Sequence, residues 1–201
     1  MTDEKSIRAF LALDPPAEVL GEIGRLQGRL QRVVHGDIRW VRTEAIHLTL
    51  KFFGDISEND VANITAVVER AAATETPFTL TVGGTGVFPD ARRPRVLWLG
   101  MSGDVPRLLI FQQRLESELG RAGFPEEERP FRPHLTLARV KSSKGLTGLE
   151  KALEKDGGYE AGRFVAPGLG LLRSELTPRG AVYSKLKWFP FAGENGMGGR
   201  A

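Results

Sequence analysis

The chain has 201 residues, of which 41% are apolar and 26% charged, and its formal net charge is +3 at pH 7. It contains no cysteine, which excludes disulfides, cysteine nucleophiles and thiolate metal sites. The stretch MTDEKSIRAFLAL does not resemble a signal peptide, and no apolar run approaches the roughly 20 residues that span a bilayer. We therefore expect a cytoplasmic protein that does not contact a membrane.

The first half of the chain alternates strand and helix patterns. A short apolar run predicts a strand at 8–13, and apolar residues at helical spacing predict a helix at about 16–34. The pattern changes to strand at 46–53, and Ser57 with an acid three residues later resembles a capping box that begins a second helix. Apolar residues that alternate with threonines then predict a strand from Phe78.

The second half repeats this order of elements. It predicts a strand at 95–100, a helix at 104–123, a strand that begins near His134, a weaker helix at 146–155 and a strand near 163–165. Two extended segments follow, 168–175 and 181–189, and the turn residues TPRG between them predict a hairpin. The tail at 192–201 is glycine-rich and polar, and we expect it to be disordered.

Corresponding positions in the two halves keep nearly constant separations. Arg8 and Val96, in the first strands of the two halves, are 88 residues apart, and Phe78 and Val165 are 87 apart. The tetrapeptide His-Leu-Thr-Leu begins at His47 and again at His134, also 87 residues apart, and it contains two of the three histidines. Order and spacing together indicate that residues 1–191 form one domain built from two similar halves.

The repeated tetrapeptide places its polar side chains on one face of a strand, because strand side chains alternate between faces. Its histidine and threonine point one way, and its leucines point into a core. If a rough two-fold axis relates the halves, the faces that carry His47, Thr49, His134 and Thr136 meet across one cleft. A lone strand histidine is more often structural, but two in matched positions favour a shared site.

Two imidazoles and two hydroxyls suit the chemistry of a phosphate diester. Imidazole titrates near pH 6.5, so one ring can act as a base while the other, protonated, acts as an acid. The threonine hydroxyls can donate hydrogen bonds to the non-bridging oxygens. The residues alone do not say which histidine is the acid. Two histidines without HxH or HExxH spacing do not predict a metal site.

The residues around both tetrapeptides resemble a known family. IHLTLKFFGD at 46–55 and FRPHLTLAR at 131–139 are similar to the paired His-x-Thr-x motifs of the two-histidine phosphoesterase superfamily. More narrowly, they resemble the RNA 2′,3′-cyclic phosphodiesterases, also called LigT-like or 2′-5′ RNA ligase proteins. The resemblance extends over residues 7–191.

This resemblance implies an α+β fold of two pseudo-symmetric lobes, each an antiparallel sheet with helices on its outer face, around a central groove. It implies hydrolysis of a 2′,3′-cyclic phosphate at the end of RNA or an oligonucleotide to a 2′-phosphate. We expect a monomer that needs no metal or cofactor. His47 would donate a proton to the leaving 3′ oxygen, and His134 would accept one from water. Thr49 and Thr136 would bind the phosphate.

Three basic residues are secondary candidates. Arg139 corresponds to an arginine that family members place near the phosphate, although strict alternation puts it on the face opposite His134, so a bulge would be needed. Lys51 falls on the face of His47 by alternation, and Arg132 on the face of His134. Both could supply positive charge to the site or simply lie in solvent at the edge of the groove.

Other residues have less specific interpretations. Trp40 and Tyr183 could stack on a base or serve in packing. We expect His35 to lie at a helix end or in a loop, without a catalytic part. The densest basic cluster consists of Arg92, Arg93 and Arg95. It could be a solvated loop or a rim of the site that attracts phosphates.

Two alternative functions use the same residues. In RNA end joining through a 2′-5′ linkage, a 5′-hydroxyl would replace water, and the greater abundance of water disfavours this outcome. A binding module that holds phosphorylated RNA ends without turnover is disfavoured by the intact pair of histidines.

Overall fold

The structure, a computed structural model, describes residues 6–177 and 180–193. In chain order it contains β1 (Ile7–Leu13), α1 (Ala17–Gln31), β2 (His35–Trp40), β3 (Leu48–Ile56), α2 (Glu58–Ala72), β4 (Phe78–Phe88), β5 (Val96–Gly103), α3 (Val105–Arg121), β6 (His134–Thr147), α4 (Leu149–Asp156), β7 (Glu160–Ala166), β8 (Gly168–Thr177) and β9 (Gly180–Pro190). The hairpin of β8 and β9 is as predicted. Residues 178–179 of its TPRG turn, and the predicted tail beyond residue 193, lie outside the described residues.

The strands form two antiparallel sheets. The four-stranded sheet has the order β3-β1-β8-β9, and the five-stranded sheet has the order β2-β6-β5-β4-β7. The series β3-β1-β8 in one sheet corresponds to β6-β5-β4 in the other, so the strands that carry the two tetrapeptides occupy equivalent places. The α+β fold of two pseudo-symmetric sheets is therefore confirmed.

The two halves exchange their later strands. Strand β4 belongs to the first half in sequence but lies beside β5, and β8 belongs to the second half but lies beside β1. The predicted equivalence of Phe78 and Val165 is wrong, because Thr79 and Val165 are antiparallel neighbours in one sheet. The sequence patterns predict most of the strands but not which sheet each one joins, and the spatial counterpart of β4 is β8.

Local sequence explains the helix boundaries. The capping box at the start of α2 is present: Ser57 Oγ accepts a bond from the Asp60 amide at 3.2 Å, and the Ser57 amide donates to Asp60 Oδ2 at 2.8 Å. Helix α1 ends at Gln31, three residues before the predicted end, because the chain turns there into β2. His35 is the exposed first residue of that strand, paired with Thr147, so its assignment to a helix end or loop is wrong.

The helices cover the sheets and enclose one large core. Helix α1 packs against β7, α2 against β9, α3 against β5 and α4 against β4. The leucines of both tetrapeptides, Leu48, Leu50, Leu135 and Leu137, are buried in this core, as alternation predicts. Within the described ranges, no helix has the length and apolar character required for a membrane span.

Candidate active site

A bulge follows the first histidine motif. In the pairing of β3 with β1, Thr49 lies opposite Ala12 and Lys51 lies opposite Leu11, so Leu50 between them has no partner. A bulge adds one residue to a strand and reverses the alternation of the side chains beyond it. The face that carries Thr49 is therefore not the face of Lys51.

The second motif has a bulge at the equivalent place. Thr136 lies opposite Trp98 and Ala138 lies opposite Leu97, so Leu137 has no partner on β5. Leu137 and Ala138 are consecutive buried residues, which simple alternation does not produce. The two halves therefore share a backbone irregularity as well as a tetrapeptide.

The bulges decide which residues after each motif face the groove. Because of the bulge at Leu137, Arg139 points to the side of the site and lines the groove. This is the bulge that Arg139 needed in order to be a site residue. Phe52, its counterpart 87 residues earlier, also lines the groove. Lys51 does not: its ammonium is buried and lies 2.6 Å from Glu116 Oε2 and 2.7 Å from the carbonyl of Pro125. Its predicted place beside His47 is wrong.

Two buried glutamines, which sequence reasoning missed, hold the bulges from the opposite halves. Gln112 of α3 donates from Nε2 to the Leu50 carbonyl at 3.1 Å, and Gln27 of α1 donates to the Leu137 carbonyl at 3.0 Å. The side-chain oxygen of Gln27 accepts from Thr43 Oγ1 at 2.9 Å. A signal existed, because helical spacing places each glutamine on an apolar stripe, where an amide needs a buried partner.

Both imidazoles are oriented by the same local bond. His47 Nδ1 lies 2.9 Å from the Ala45 carbonyl, and His134 Nδ1 lies 2.6 Å from the Arg132 carbonyl. A carbonyl oxygen only accepts, so Nδ1 carries the proton in both rings. Nε2 of a neutral ring is therefore unprotonated and available as a base, and Nε2 of a protonated ring can donate as an acid.

His47 lies between aromatic rings. Its ring stacks on Phe10, with centroids 4.6 Å apart, and meets Tyr183 edge-on at 5.1 Å. Burial lowers its pKa below the ordinary value, and Arg139 lowers it further. The Ala45 carbonyl bond and the charge of Asp14 act in the opposite direction.

His134 has a more open environment. Its ring meets Phe88 edge-on, with centroids 5.0 Å apart. Burial lowers its pKa as well, the bond to the Arg132 carbonyl opposes this effect, and the charge of Arg139 adds to it. The charge of Arg139 thus lowers the pKa of both imidazoles.

A groove of about 590 Å³ runs along the first motif. Its lining includes His47, Thr49 and Arg139, together with the aromatic candidates Trp40 and Tyr183. Among the residues that the structure describes, His134 and Thr136 are not part of this lining. Strands β3 and β6 nevertheless contact each other, so the two motifs lie in adjacent strands of the two sheets.

The remaining basic candidates lie outside the groove lining. The guanidinium of Arg132 sits over the Phe88 ring at 5.9 Å, on the side of His134. Arg92 and Arg93 are exposed in the turn after β4, where their amides donate to Asp90 at 2.8 and 3.1 Å. Arg95 donates to the Lys141 carbonyl at 2.8 Å. These placements favour the solvated-loop interpretation of the cluster.

A metal centre finds no obvious set of ligands in the described part of the chain. In residues 6–177 and 180–193, no group of three or more His, Asp or Glu side chains is placed to hold an ion. The chemistry that the described side chains themselves offer is proton transfer by imidazole, with hydroxyl and guanidinium groups as donors to an anion.

Both halves of the chain match known proteins. A family model described as LigT like Phosphoesterase matches residues 13–98 and again 99–183. The RNA 2′,3′-cyclic phosphodiesterase of Methanothermobacter thermautotrophicus is 34% identical over 183 residues, covering 91% of this chain and 98% of that protein. The protein of the same name from Aeropyrum pernix is 35% identical over 167 residues, covering 82% of this chain and 93% of its own.

Solved structures resemble the fold over the same extent. The protein TT0787 of Thermus thermophilus has a TM-score of 0.74 and 31% identity, covering 94% of this chain and 100% of that one. E. coli LigT complexed with 3′-AMP has a TM-score of 0.73 and 26% identity, covering 93% of this chain and 99% of that one. The similarity thus includes both sheets and both motifs.

Proposed function

The chain belongs to the LigT-like phosphoesterase family, and on that premise we propose that it hydrolyses the 2′,3′-cyclic phosphate ends of RNA to 2′-phosphates. The observation that carries the proposal is the matched pair of imidazoles. Each donates Nδ1–H to a carbonyl two residues earlier in the chain, and each keeps Nε2 for proton transfer. Two relatives named for this activity cover most of the chain.

The reaction divides the proton transfers between the two histidines. Water attacks phosphorus while His134 takes its proton at Nε2. The bond between phosphorus and O3′ breaks, and O3′ takes the proton that His47 Nε2 carries, which leaves a 2′-phosphate and a 3′-hydroxyl. The assignment of acid and base follows the family resemblance, and each transfer contributes on the order of 10²–10⁴ in rate.

Protonation of His47 depends on the substrate. Burial disfavours the imidazolium in the free protein, because a charged ring loses its hydration. A bound phosphate supplies a nearby negative charge, which favours the protonated form. The same negative charge offsets the effect of Arg139, so binding itself prepares the acid.

Three further residues bind the phosphate in this proposal. The hydroxyls of Thr49 and Thr136 donate to the non-bridging oxygens, where charge grows in the transition state. Arg139 neutralises the phosphate with a charge-assisted bond. Two observations support this role of Arg139. The bulge at Leu137 turns it towards the groove, and its charge lowers the pKa of both histidines.

The test is turnover of an oligonucleotide with a 2′,3′-cyclic end by EDTA-treated protein, followed by mapping of the product phosphate. We expect a 2′-phosphate, and we expect His47→Ala and His134→Ala each to lower kcat by about 10² or more. His35→Ala is the matched control, since His35 is exposed on β2. Full activity in either variant of the motif histidines would contradict the mechanism, and nicked RNA in parallel reactions would reveal any end joining.

We also propose that the protein acts as a cytoplasmic monomer, with residues 1–191 as one domain. The absence of cysteine supports a reducing compartment. Sedimentation of the purified protein would test the monomeric state.

A further inference from the structure

The groove carries a concentration of positive charge. Four arginines line it, namely Arg8, Arg39, Arg42 and Arg139. Among the described residues of the lining, none is Asp or Glu. The whole chain has a net charge of only +3, so this cluster is a local feature and not an average property. A cleft lined by charges of one sign concentrates the field and attracts ions of opposite charge.

The arginines stand on different walls. Arg8 lies on β1, with its guanidinium 4.8 Å from the centroid of the Phe52 ring. Arg42 follows β2 and donates from Nη2 to the Ala181 carbonyl at 3.2 Å, which fixes it near the β8–β9 hairpin. Arg39 on β2 also approaches this hairpin, near Gly180. An anionic chain in the groove would therefore meet cations on two sides.

Acidic side chains leave most of this charge uncompensated. Within residues 6–177 and 180–193, Arg8 and Arg39 form no salt bridge, and the partner of Arg42 is the exposed Glu44 at 3.8 Å. An exposed pair at that distance is weak. A cyclic phosphate carries one negative charge, which Arg139 beside the histidines can neutralise. The positive charges of the other three arginines are not needed to neutralise the cyclic phosphate and remain available for further phosphates.

Aromatic rings share the groove lining with these cations. Trp40 and Tyr183 line the groove, and so does Phe52, whose side chain is 45% exposed. Burial raises the pKa of the Tyr183 phenol, while the charges of Arg139, Arg42 and Arg8, which line the same groove, oppose this effect. Cations that track a backbone and rings that stack on bases are the features of single-strand binding grooves.

We propose that Arg8, Arg39 and Arg42 bind the internucleotide phosphates upstream of the cyclic end. The preferred substrate is then a single RNA strand of two or more nucleotides, which should react with a higher kcat/KM than a cyclic mononucleotide. This inference rests on the proposed function, because the end of the strand is defined by its cyclic phosphate beside His47.

The test compares three substrates that share the terminal nucleotide: the 2′,3′-cyclic mononucleotide, a cyclic-ended dinucleotide and a cyclic-ended trinucleotide. We expect kcat/KM to rise with length, by about tenfold or more from one to three nucleotides, as phosphate contacts are added. In Arg39→Gln/Arg42→Gln, the ratio of trinucleotide to mononucleotide kcat/KM should fall several-fold. Arg70→Gln is the matched control, since Arg70 is exposed on α2 outside the groove.

Salt dependence gives a second measurement on the unmodified protein. Each phosphate contact contributes about one to the slope of log Kd for the RNA against log salt concentration. The slope should be steeper for a trinucleotide that ends in a 2′-phosphate than for a nucleoside 2′-monophosphate. In the double variant, the slope for the trinucleotide should decrease by about two. If thermal melting shows the double variant to be unfolded, Arg8→Gln replaces it.

The outcomes separate this inference from the proposed function. Equal kcat/KM for all three substrates in the unmodified protein would overturn the inference and leave the hydrolysis intact. Absence of hydrolysis with every cyclic end would overturn the proposed function. In that case, tighter binding of the 2′-phosphate-ended trinucleotide than of the nucleoside 2′-monophosphate would still support the binding of upstream phosphates in the groove. Equal affinity for the two ligands would refute it.

Discussion

The imidazole of His47 stacks on the phenyl ring of Phe10, with centroids 4.6 Å apart. Phe10 is 2% exposed and extends from β1, so this contact joins the first motif to the middle of its sheet. Together with the Nδ1 bond to the Ala45 carbonyl, the stacking leaves the ring little freedom to rotate. The orientation of the proposed acid therefore depends on an apolar neighbour.

Replacement of this neighbour should affect catalysis more than stability. In Phe10→Leu the ring loses its flat support, and we expect kcat to fall by about tenfold, within the range that misplaced catalytic groups show. The loss of stability should be about 1 kcal/mol, since the side chains are similar in volume. Phe53→Leu, at the Phe53–Phe124 contact, is the control, since Phe53 is partly buried and packs against the core. It should lose comparable stability and retain kcat, and an equal loss of kcat in both variants would contradict the role of Phe10.

Removal of the charge at Arg139 should move the pH profile. Activity falls at low pH when the base becomes protonated and at high pH when the acid loses its proton. Burial and then Arg139 lower the pKa of both histidines, so Arg139→Gln should raise both values and shift both limbs of kcat/KM to higher pH. We also expect kcat/KM at the optimum to fall by about 10², since a charge-assisted phosphate contact is lost.

The control for this profile is Arg132→Gln. The Arg132 guanidinium lies over Phe88, and its charge is not among the causes of either histidine shift. Its profile should keep both limbs in place. Unchanged limbs in Arg139→Gln as well would show that Arg139 is not close to the reacting groups.

Loss of the buried glutamine bonds should disturb the motifs. Gln112→Leu leaves the Leu50 carbonyl without its side-chain donor, and Gln27→Leu does the same at Leu137. An unsatisfied buried group costs about 1–3 kcal/mol, and a relaxed bulge should also lower kcat without raising KM. Denaturant unfolding and steady-state kinetics measure the two effects.

Each glutamine has a matched control on its own helix. Gln113→Leu on α3 and Gln31→Leu on α1 change exposed side chains. Both should retain stability and kcat. If the buried variants lose stability but keep kcat and the pH profile of the unmodified protein, the glutamines serve only in packing.

Lys51 should behave as a structural residue. Lys51→Met leaves Glu116 without its cation inside the protein, and we expect a loss of about 3 kcal/mol or more in the free energy of unfolding. Lys51→Met/Glu116→Gln should recover part of that loss, because no uncompensated charge remains. The salt dependence of kcat/KM should stay unchanged in both variants. A shallower salt slope would instead place Lys51 in the groove.

The sequence predicts the site up to the first irregularity of the backbone. Alternation correctly buries Leu48 and Leu135 and presents Thr49 to the groove. It fails at Lys51, because a bulge leaves no mark in the order of apolar residues. Strict alternation places Arg139 on the face away from the groove, and only the family resemblance predicted its position in the groove lining.

Two errors in the fold have related causes. Strand β2 has the sequence HGDIRW, whose polar residues and glycine hide the strand pattern, and pairing with β6 forms it. The exchange of β4 and β8 is also set by long-range pairing, and the local patterns of the two strands do not reveal it. Local patterns predict most of the strands, whereas the partner of each strand, and for β2 the strand itself, depends on long-range pairing.

The exchange of β4 and β8 ties the two sequence halves together. Each of these strands lies between two neighbours in the sheet of the other half, so separation of the two halves would break backbone ladders in both sheets. A fragment that stopped before β5 would contain β4 without a sheet to join, and we infer that neither half folds by itself. The strands that carry the two histidine motifs, β3 and β6, therefore reach their contact only when the whole chain folds.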